Sequence, residues 1–284
     1  MTIRSKPIYV DWANIALSYE QSLPTMYDLP SENPEEPGVP DMFHPWQTQL
    51  LSETFEPPDY TPEHRIAASD LNLYYDVRNT RFYKRPDWYA VLGIDHLYEK
   101  HDIRLSYVIW DEKVIPSIVV ELLSPGTKQE DLGHTLRQLN EPPTKWEVYE
   151  QILGIPYYVV FDRYTDELRV FQLKGNRYYE QDLADKRIWF KELKLGLGLW
   201  HGTYCHLECF WLRWYDAKGE WIPTPAEKEK ERADMEKQRA EMEKQRAETE
   251  KTQKENVQKQ IEKERERTQR LLAQLNALGI KPDQ

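Results

Sequence analysis

The chain has 284 residues, of which 39% are hydrophobic and 31% charged, with a formal net charge of −11. No apolar run is long enough for a transmembrane helix, and the N-terminus lacks a secretion signal, so we expect a cytoplasmic protein. Two cysteines are too few for a disulfide framework. The net negative charge argues against tight nucleic-acid binding, although the chain can still carry a local basic patch.

The first 65 residues lack regular patterning, and we expect residues 1–65 to form an irregular segment that packs on the core. Residues 24–40 are acidic and rich in proline, which predicts an extended loop. The stretch from His44 to Phe55 is compatible with a short helix. For His44 itself, a surface or capping role is favoured over a ligand role.

A larger domain is predicted over residues 66–225. Its first strand is expected at Asp70–Val77, where apolar residues alternate with polar ones. Asp70 lies on the polar face of this strand, where a turn or edge role is favoured over metal ligation. The cluster Arg81–Arg85 has two equal interpretations, a phosphate-binding patch or a solvated turn. The segment Ile103–Trp110 is predicted to be another strand.

Two carboxylates accompany apolar strand patterns. Asp87 directly precedes the run Trp88–Leu92, and Glu121 lies inside the run Ile118–Leu123. A carboxylate inside a buried strand is costly unless it is hydrogen-bonded, paired or bound to a metal. If the two strands pair, both acids converge near one edge of a sheet, where they could hold a hard cation such as Mg²⁺.

The sequence after Glu121 predicts a strand–helix–strand unit. Asp131 falls in a short helix, and a double proline then interrupts the chain before Lys145 opens a second helix. Thr144 is a suitable N-cap for that helix. The run Pro156–Asp162 is the next buried strand, so the unit predicts a right-handed parallel crossover.

The end of the domain contains a compact group of possible metal ligands, His201, Cys205, His206 and Cys209. Their spacing is too tight for paired zinc knuckles. Side chains alternate between the two faces of a strand, which would place Cys205 and His206 on opposite faces, so a zinc site is disfavoured. A charged helix is predicted over residues 226–284. Its repeat at Met235 and Met242 indicates heptads, but the seam is polar, so a solvated helix is favoured over a coiled coil.

Together these motifs resemble the Uma-two family of restriction endonucleases, which belongs to the PD-(D/E)XK nuclease superfamily. The resemblance covers roughly residues 28–225, and the charged tail is also of the family's kind. The upstream pair is Pro86 and Asp87. The downstream residues that match are Glu121, Ser124, Pro125, Asp131, Lys145, Tyr149, Gly154, Pro156, Tyr158 and Asp162.

The resemblance implies an α/β fold of restriction-endonuclease type, with a mixed central sheet and a long C-terminal helix. It implies that Asp87, Glu121 and the backbone carbonyl of Leu122 bind Mg²⁺ or Mn²⁺. The superfamily places a lysine two residues after the glutamate, whereas this chain has Leu123 there. We expect Lys145 to take that catalytic role, with Asp70, Asp131 and Tyr149 as possible supporting residues.

The resulting hypothesis is a metal-dependent endonuclease that hydrolyses DNA and acts as a homodimer, with RNA or branched nucleic acid as alternative substrates. The rival hypothesis is a catalytically inactive protein of nuclease fold that serves as an interaction module through its helical tail. The displaced lysine and the net acidity favour the rival hypothesis.

Overall fold

The computed structural model describes residues 41–124, 128–134 and 141–278. The loop predicted at residues 24–40 lies outside them. The chain divides into two compact units, the first ending at Ile222 and the second beginning at Pro223. The division into segments 1–65, 66–225 and 226–284 stays a prediction. In the described ranges, no helix is both long and apolar enough to cross a membrane.

The strands of the described residues follow one another along the first unit. They are β1 (Arg65–Ser69), β2 (Leu73–Tyr74), β3 (Tyr83–Lys84), β4 (Trp88–Leu92), β5 (Tyr107–Val108), β6 (Ile118–Leu122), β7 (Tyr157–Asp162), β8 (Glu167–Lys174), β9 (Arg177–Glu180), β10 (Arg187–Phe190), β11 (Leu195–Tyr204) and β12 (Leu207–Tyr215). The helices are α1 (Phe43–Thr54), α2 (Ile109–Glu112), α3 (Lys128–Asp131), α4 (Lys145–Glu147) and α5 (Pro225–Ala277). A 3₁₀ turn covers Pro62–His64, and a π-helical turn covers Val148–Leu153.

The central sheet is mixed and has six strands in the order β1-β4-β6-β7-β8-β9. Strands β6 and β7 are parallel, whereas the other neighbouring pairs are antiparallel. The β-branched and aromatic residues of β6 and β7 are all buried, as expected for strands covered on both faces. The predicted α/β fold with a mixed central sheet and a long C-terminal helix is confirmed.

Each face of the central sheet carries its own apolar core. On one face, α1 and the sheet β10-β11-β12 pack around residues such as Trp88, Val120 and Trp214. On the other face, the small sheet β3-β2-β5 and the π-helical turn pack around Tyr89 and Val119. Glu121 belongs to this second face, because side chains alternate along a strand.

Two predicted strands are corrected by the structure. The strand expected at Asp70–Val77 is reduced to β2, because Asp70 turns the chain with a φ of +54° directly after β1. The strand expected at Ile103–Trp110 is reduced to β5 and is followed by α2. Arg104 holds the preceding segment in a loop, since its guanidinium donates to Glu112 at 2.6 Å.

The Gln47 side chain joins helix α1 to β12 by hydrogen-bonding to the β12 backbone, as a neighbouring strand would. The Gln47 amide donates to the Leu212 carbonyl at 2.9 Å and accepts from the Leu212 N–H at 2.8 Å. Gln47 is fully buried. A short helix near His44–Phe55 was expected from the sequence, and α1 forms a large part of the core rather than an irregular covering.

We expect Gln47→Ala to lower the free energy of unfolding by about 2–4 kcal/mol, because it leaves two buried backbone groups of Leu212 without a partner. Urea unfolding measures the loss. The exposed neighbour Gln49, which bonds only to Glu53 in the described structure, provides the matched control. Equal stabilities of Gln47→Ala and Gln49→Ala would contradict this account of how α1 is held.

Helix α5 forms the second unit. Thr224 caps its first turn by accepting the Glu227 N–H at 3.2 Å, and the Glu227 carboxylate accepts the Thr224 N–H at 2.7 Å. None of its residues is buried. Such a helix depends on its capping box, its helix-forming residues and its charge pairs rather than on a core.

Candidate active site

The carboxylates of Asp87 and Glu121 lie on neighbouring strands of the central sheet. The register pairs Trp88 with Val120, so Asp87 stands opposite Glu121 on the same face. The Asp87 N–H donates to Glu121 Oε2 at 3.3 Å, and the Leu122 N–H donates to Asp87 Oδ2 at 2.6 Å. The two acids predicted from the strand patterns are therefore brought together.

Lys145 reaches this pair from the start of α4. Thr144 caps the helix by accepting the Glu147 N–H at 3.2 Å, as the sequence predicted. The Glu130 carboxylate accepts the Lys145 N–H at 3.1 Å. Lys145 Nζ then lies 3.0 Å from Glu121 Oε2. Lys145 is therefore brought beside Glu121, although it lies 24 positions further along the chain.

Asp131 completes the cluster from the end of α3. Its Oδ1 lies 2.8 Å from Lys145 Nζ, and the side chain is fully buried. In the part of the chain that the structure describes, Oδ2 has no hydrogen-bond partner. A buried carboxylate with one unpartnered oxygen is costly, and such groups concentrate at functional sites.

Tyr149 fixes the other oxygen of Glu121. Its hydroxyl donates to Glu121 Oε1 at 2.8 Å, and both residues are fully buried. Tyr149 lies on the π-helical turn, a rare geometry that is frequent at functional sites. Ile152 of the same turn is 46% exposed.

The charges of the cluster shift its ionisation. Burial raises the pKa of Glu121 to about 8, with Lys145 opposing and Asp131 and Asp87 adding to the shift. Burial also raises the pKa of Asp87 against the opposing charges of Lys145 and His44. Desolvation lowers the pKa of Lys145, but the three carboxylates outweigh it, so Lys145 remains an ammonium at all physiological pH values.

The donor set suits a hard divalent cation. Among the residues that the structure describes, no three His, Cys, Asp or Glu side chains form a group that could hold a metal by themselves. The available donors are the Asp87 and Glu121 carboxylates with the Leu122 carbonyl, all of them oxygen ligands. Glu121 and Asp131 both pair with the single ammonium of Lys145, and Asp87 adds a third carboxyl group to this buried cluster. A divalent cation would balance the negative charge that the ammonium does not.

The side chains of the remaining candidates form ion pairs of their own beside this cluster. Asp70 is exposed and binds the Arg85 guanidinium through two hydrogen bonds of 2.5 and 2.6 Å. Lys84 is bound to Glu130 at 2.9 Å. Two cations of the predicted phosphate-binding patch are thus paired with acids. Its other candidate cation, Arg81, is exposed.

The possible zinc ligands are distributed along a hairpin. Cys205 and His206 form the turn between β11 and β12, both with positive φ. Cys209 stands opposite Gly202, and the His201 ring packs against Phe210 at 4.9 Å between centroids. This arrangement is that of a tight two-residue hairpin turn flanked by paired strands.

Sequence reasoning missed the role of His44. This residue is buried in α1, and its Nε2 lies 3.2 Å from the Leu122 carbonyl oxygen. Its Nδ1 lies 2.8 Å from Asp41 Oδ1. Desolvation raises the pKa of Asp41, but the bond to His44 and the charges of His44 and Arg163 lower it to about 2. Only the apolar spacing of α1, which places one stripe toward the sheet, could have indicated that His44 points inward.

Comparison with known proteins identifies one family. The model of the Uma2 (Uma-two) family, described as "Putative restriction endonuclease", matches residues 17–204. No curated protein matches the chain. The matched range contains every residue of the cluster and all strands of the central sheet. Restriction-endonuclease-like proteins share this kind of mixed sheet and generally use divalent metals.

The raised pKa of Glu121 predicts a specific dependence of stability on pH. The folded protein keeps a proton on Glu121 up to about pH 8, whereas the unfolded chain releases it near its ordinary value of 4.5. The stabilisation from this proton is complete below pH 4.5 and is lost as the pH rises through about 8. Glu121→Gln should remove this loss of stability. Between about pH 5 and 9, its free energy of unfolding should therefore rise relative to that of the parent by on the order of 2–4 kcal/mol.

Urea unfolding of both proteins across this pH range, without divalent cations, measures the difference. Glu208→Gln is the control, because Glu208 is exposed on β12. If the free energy of unfolding of the parent and of Glu121→Gln varied with pH in parallel, the raised pKa of Glu121 in the folded protein would be contradicted.

Proposed function

The chain belongs to the Uma2 family, and from that premise we propose that it is a metal-dependent endonuclease that hydrolyses phosphodiester bonds of DNA. One observation carries the proposal: Glu121 of a central strand lies 3.0 Å from the ammonium of Lys145 and opposite Asp87. Two carboxylates and a lysine beside neighbouring inner strands of a mixed sheet are the groups that phosphodiester hydrolysis with a metal requires.

We assign the Asp87 carboxylate, the Glu121 carboxylate and the Leu122 carbonyl as ligands of Mg²⁺ or Mn²⁺. When bound, such a cation would supply positive charge to a phosphate and would lower the pKa of an attacking water. The protein holds these donors in place before any ligand arrives. Tyr149 orients Glu121 through a hydrogen bond of 2.8 Å, and the backbone N–H of Leu122 orients Asp87 at 2.6 Å.

Lys145 acts in this proposal as a fixed positive charge. Because neighbouring carboxylates raise its pKa well above the ordinary value, it cannot accept a proton from water near neutral pH. It can donate hydrogen bonds to a phosphate oxygen, to the attacking water or to the leaving oxygen, where negative charge develops. Asp131 positions the ammonium at 2.8 Å and keeps it charged.

The exposed pair Asp70–Arg85 has a supporting place in the proposal. The Asp70 N–H binds the backbone carbonyls of Pro86 and Asp87, each at 3.2 Å. Its carboxylate holds Arg85 at the surface beside this segment. A guanidinium there can bind a phosphate of the backbone next to the one that reacts.

The proposal predicts cleavage of supercoiled plasmid that depends on Mg²⁺ or Mn²⁺. Glu121→Gln removes a ligand charge and should reduce the cleavage rate more than 100-fold. Lys145→Met removes the fixed charge and should reduce it about 10²–10³-fold, the usual effect of losing one such group. Glu208→Gln, an exposed and remote change, should cleave like the parent.

Circular dichroism of each variant shows whether the fold is retained. Equal cleavage by the parent and Glu121→Gln would contradict the proposal, since the activity would then lie elsewhere. Single-stranded RNA and branched DNA in the same assay distinguish the substrate class. Absence of cleavage and of metal binding would favour the alternative, an inactive nuclease-fold protein that binds partners through α5.

We further propose that the active form is a homodimer joined through α5, because two-fold symmetry suits cleavage of both strands of a duplex. The distal part of α5 carries an exposed apolar stripe that includes Ile261, Leu271 and Leu272. The repeat with Met235 and Met242 places two further exposed apolar residues one heptad apart.

The double variant Leu271→Ser, Leu272→Ser should shift the protein from dimer to monomer, because it removes two adjacent exposed leucines of the stripe. Multi-angle light scattering measures the mass at several concentrations. The double variant Glu241→Gln, Glu248→Gln, changed on the same helix on the face away from the stripe, serves as the control. A monomeric parent, or a dimer that survives the leucine substitutions, would contradict association through this stripe.

A further inference from the structure

The outer face of the small sheet β3-β2-β5 carries a group of aromatic side chains. The register places Tyr74 opposite Tyr83, and residues opposite each other on paired strands point to the same face. Leu73, the neighbour of Tyr74 on β2, is fully buried and points to the inner face, so the two tyrosines lie on the outer face. Their ring centroids are 5.4 Å apart, and Trp110 of α2 packs edge-on against Tyr74 at 6.4 Å.

This group is open to solvent at one end. Tyr83 is 44% exposed, whereas Tyr74 and Trp110 are half-buried. Strand β3 is an outer strand of its sheet, so the Tyr83 ring stands at an edge with one side uncovered. Together, Tyr74, Tyr83 and Trp110 form an aromatic platform on which another flat ring can stack.

The aromatic platform is joined to the proposed active site by a short stretch of chain. Lys84 follows Tyr83 and points to the opposite face, where its Nζ lies 2.9 Å from Glu130 Oε1. The same carboxylate oxygen accepts the Lys145 N–H at 3.1 Å. Asp87 comes four positions after Tyr83, so their Cα atoms lie no more than about 14 Å apart even in a fully extended chain.

The chain around Tyr83 is basic, although the whole protein has a net charge of −11. The stretch of residues 77–86 contains no acidic residue and four basic ones, namely Arg78, Arg81, Lys84 and Arg85. Arg81 is exposed. Arg85 uses two of the five N–H donors of its guanidinium for Asp70. Cations that attract phosphates, set beside aromatic rings that stack on bases, are the combination by which proteins bind single-stranded nucleic acid.

We propose that the aromatic platform binds an unpaired nucleobase next to the phosphate that is cleaved, with the Tyr83 ring stacking on the base. This inference rests on the proposed function, because the base belongs to the strand that the site cuts. It specifies the substrate class as nucleic acid with a single-stranded segment. In an intact duplex the faces of each base are covered by its neighbours, so a base has to be unpaired or turned out of the stack to reach Tyr83.

A purely structural platform would serve only to hold β2, β3 and α2 together. The two roles differ in whether a bound base contacts the Tyr83 ring. The fluorescent base 2-aminopurine is quenched when it stacks on an aromatic ring. A thymine oligonucleotide with one central 2-aminopurine, alone or paired with its complement, is the probe. The full-length protein without divalent cations is the sample, so the probe stays uncleaved.

We expect the parent to quench the single-stranded probe and to bind it at least 10-fold more tightly than the duplex. Tyr83→Ala should lose the quenching and bind the single strand about 10-fold more weakly, with the duplex affinity changed less than 2-fold. Tyr83→Phe keeps the ring and should behave like the parent.

Tyr179→Ala is the matched control, since Tyr179 is 53% exposed on β9 of the central sheet. Its quenching and its affinities for both probes should equal those of the parent. An equal loss of single-strand binding in Tyr179→Ala and Tyr83→Ala would overturn the inference. If Tyr83→Ala does not fold, Tyr83→Leu replaces it, because leucine keeps apolar packing without a ring and should also lose the quenching.

The outcomes separate this inference from the proposed function. Quenching that persists in Tyr83→Ala, or a parent that binds the duplex as tightly as the single strand, would overturn the role of the aromatic platform. The nuclease proposal would still stand if that protein cleaved plasmid in a manner that depends on Glu121. Conversely, quenching that depends on Tyr83 in a protein that cleaves nothing with Mg²⁺ or Mn²⁺ would overturn the nuclease proposal and support the binding site.

Discussion

The structure depends on the buried carboxylate of Glu121 in the middle of the central sheet. A strand whose other residues are all apolar gains stability from complete burial, but the carboxylate loses its hydration there. Three groups from separate parts of the chain compensate, namely the Lys145 ammonium, the Tyr149 hydroxyl and the Asp87 N–H. The helices after β6 are placed by this requirement, because Lys145 and Tyr149 both have to reach one side chain.

The groups around Glu121 offset only part of the cost of burying its charge. Lys145 also lies 2.8 Å from Asp131, so one ammonium is divided between two buried carboxylates. A fold selected only for stability gains more by replacing such a cluster with apolar residues. A cluster whose carboxyl groups ionise only with difficulty, as the raised pKa values of Glu121 and Asp87 indicate, is instead suited to binding a cation that replaces the proton.

The sequence allowed the centre of the site to be predicted, because its signals are local. Asp87 and Glu121 stand next to or inside short apolar runs, and antiparallel pairing of those runs necessarily brings them together. Thr144 with Glu147 is a recognisable capping box, which placed Lys145 at the start of a helix. The family resemblance added the expected roles, which remain predictions.

Other features of the structure could not be predicted, because they depend on contacts between residues far apart in the chain, which no local sequence pattern encodes. His44 acquires its partner from a strand 78 positions away, and Gln47 binds β12 across 165 positions. The apolar alternation around Tyr107 indicated a longer strand, but the ion pair of Arg104 with Glu112 favours a loop and a short helix. Tertiary contacts there outweigh β-propensity.

The most direct test of the account is anomalous X-ray diffraction from crystals of the full-length protein soaked in Mn²⁺. The account predicts one anomalous peak about 2.2 Å from carboxylate oxygens of Asp87 and Glu121 and from the Leu122 carbonyl. A soak at millimolar Mn²⁺ that leaves no peak at this cluster, with Lys145 still bound between Glu121 and Asp131, would contradict the claim that these buried acids are a metal centre.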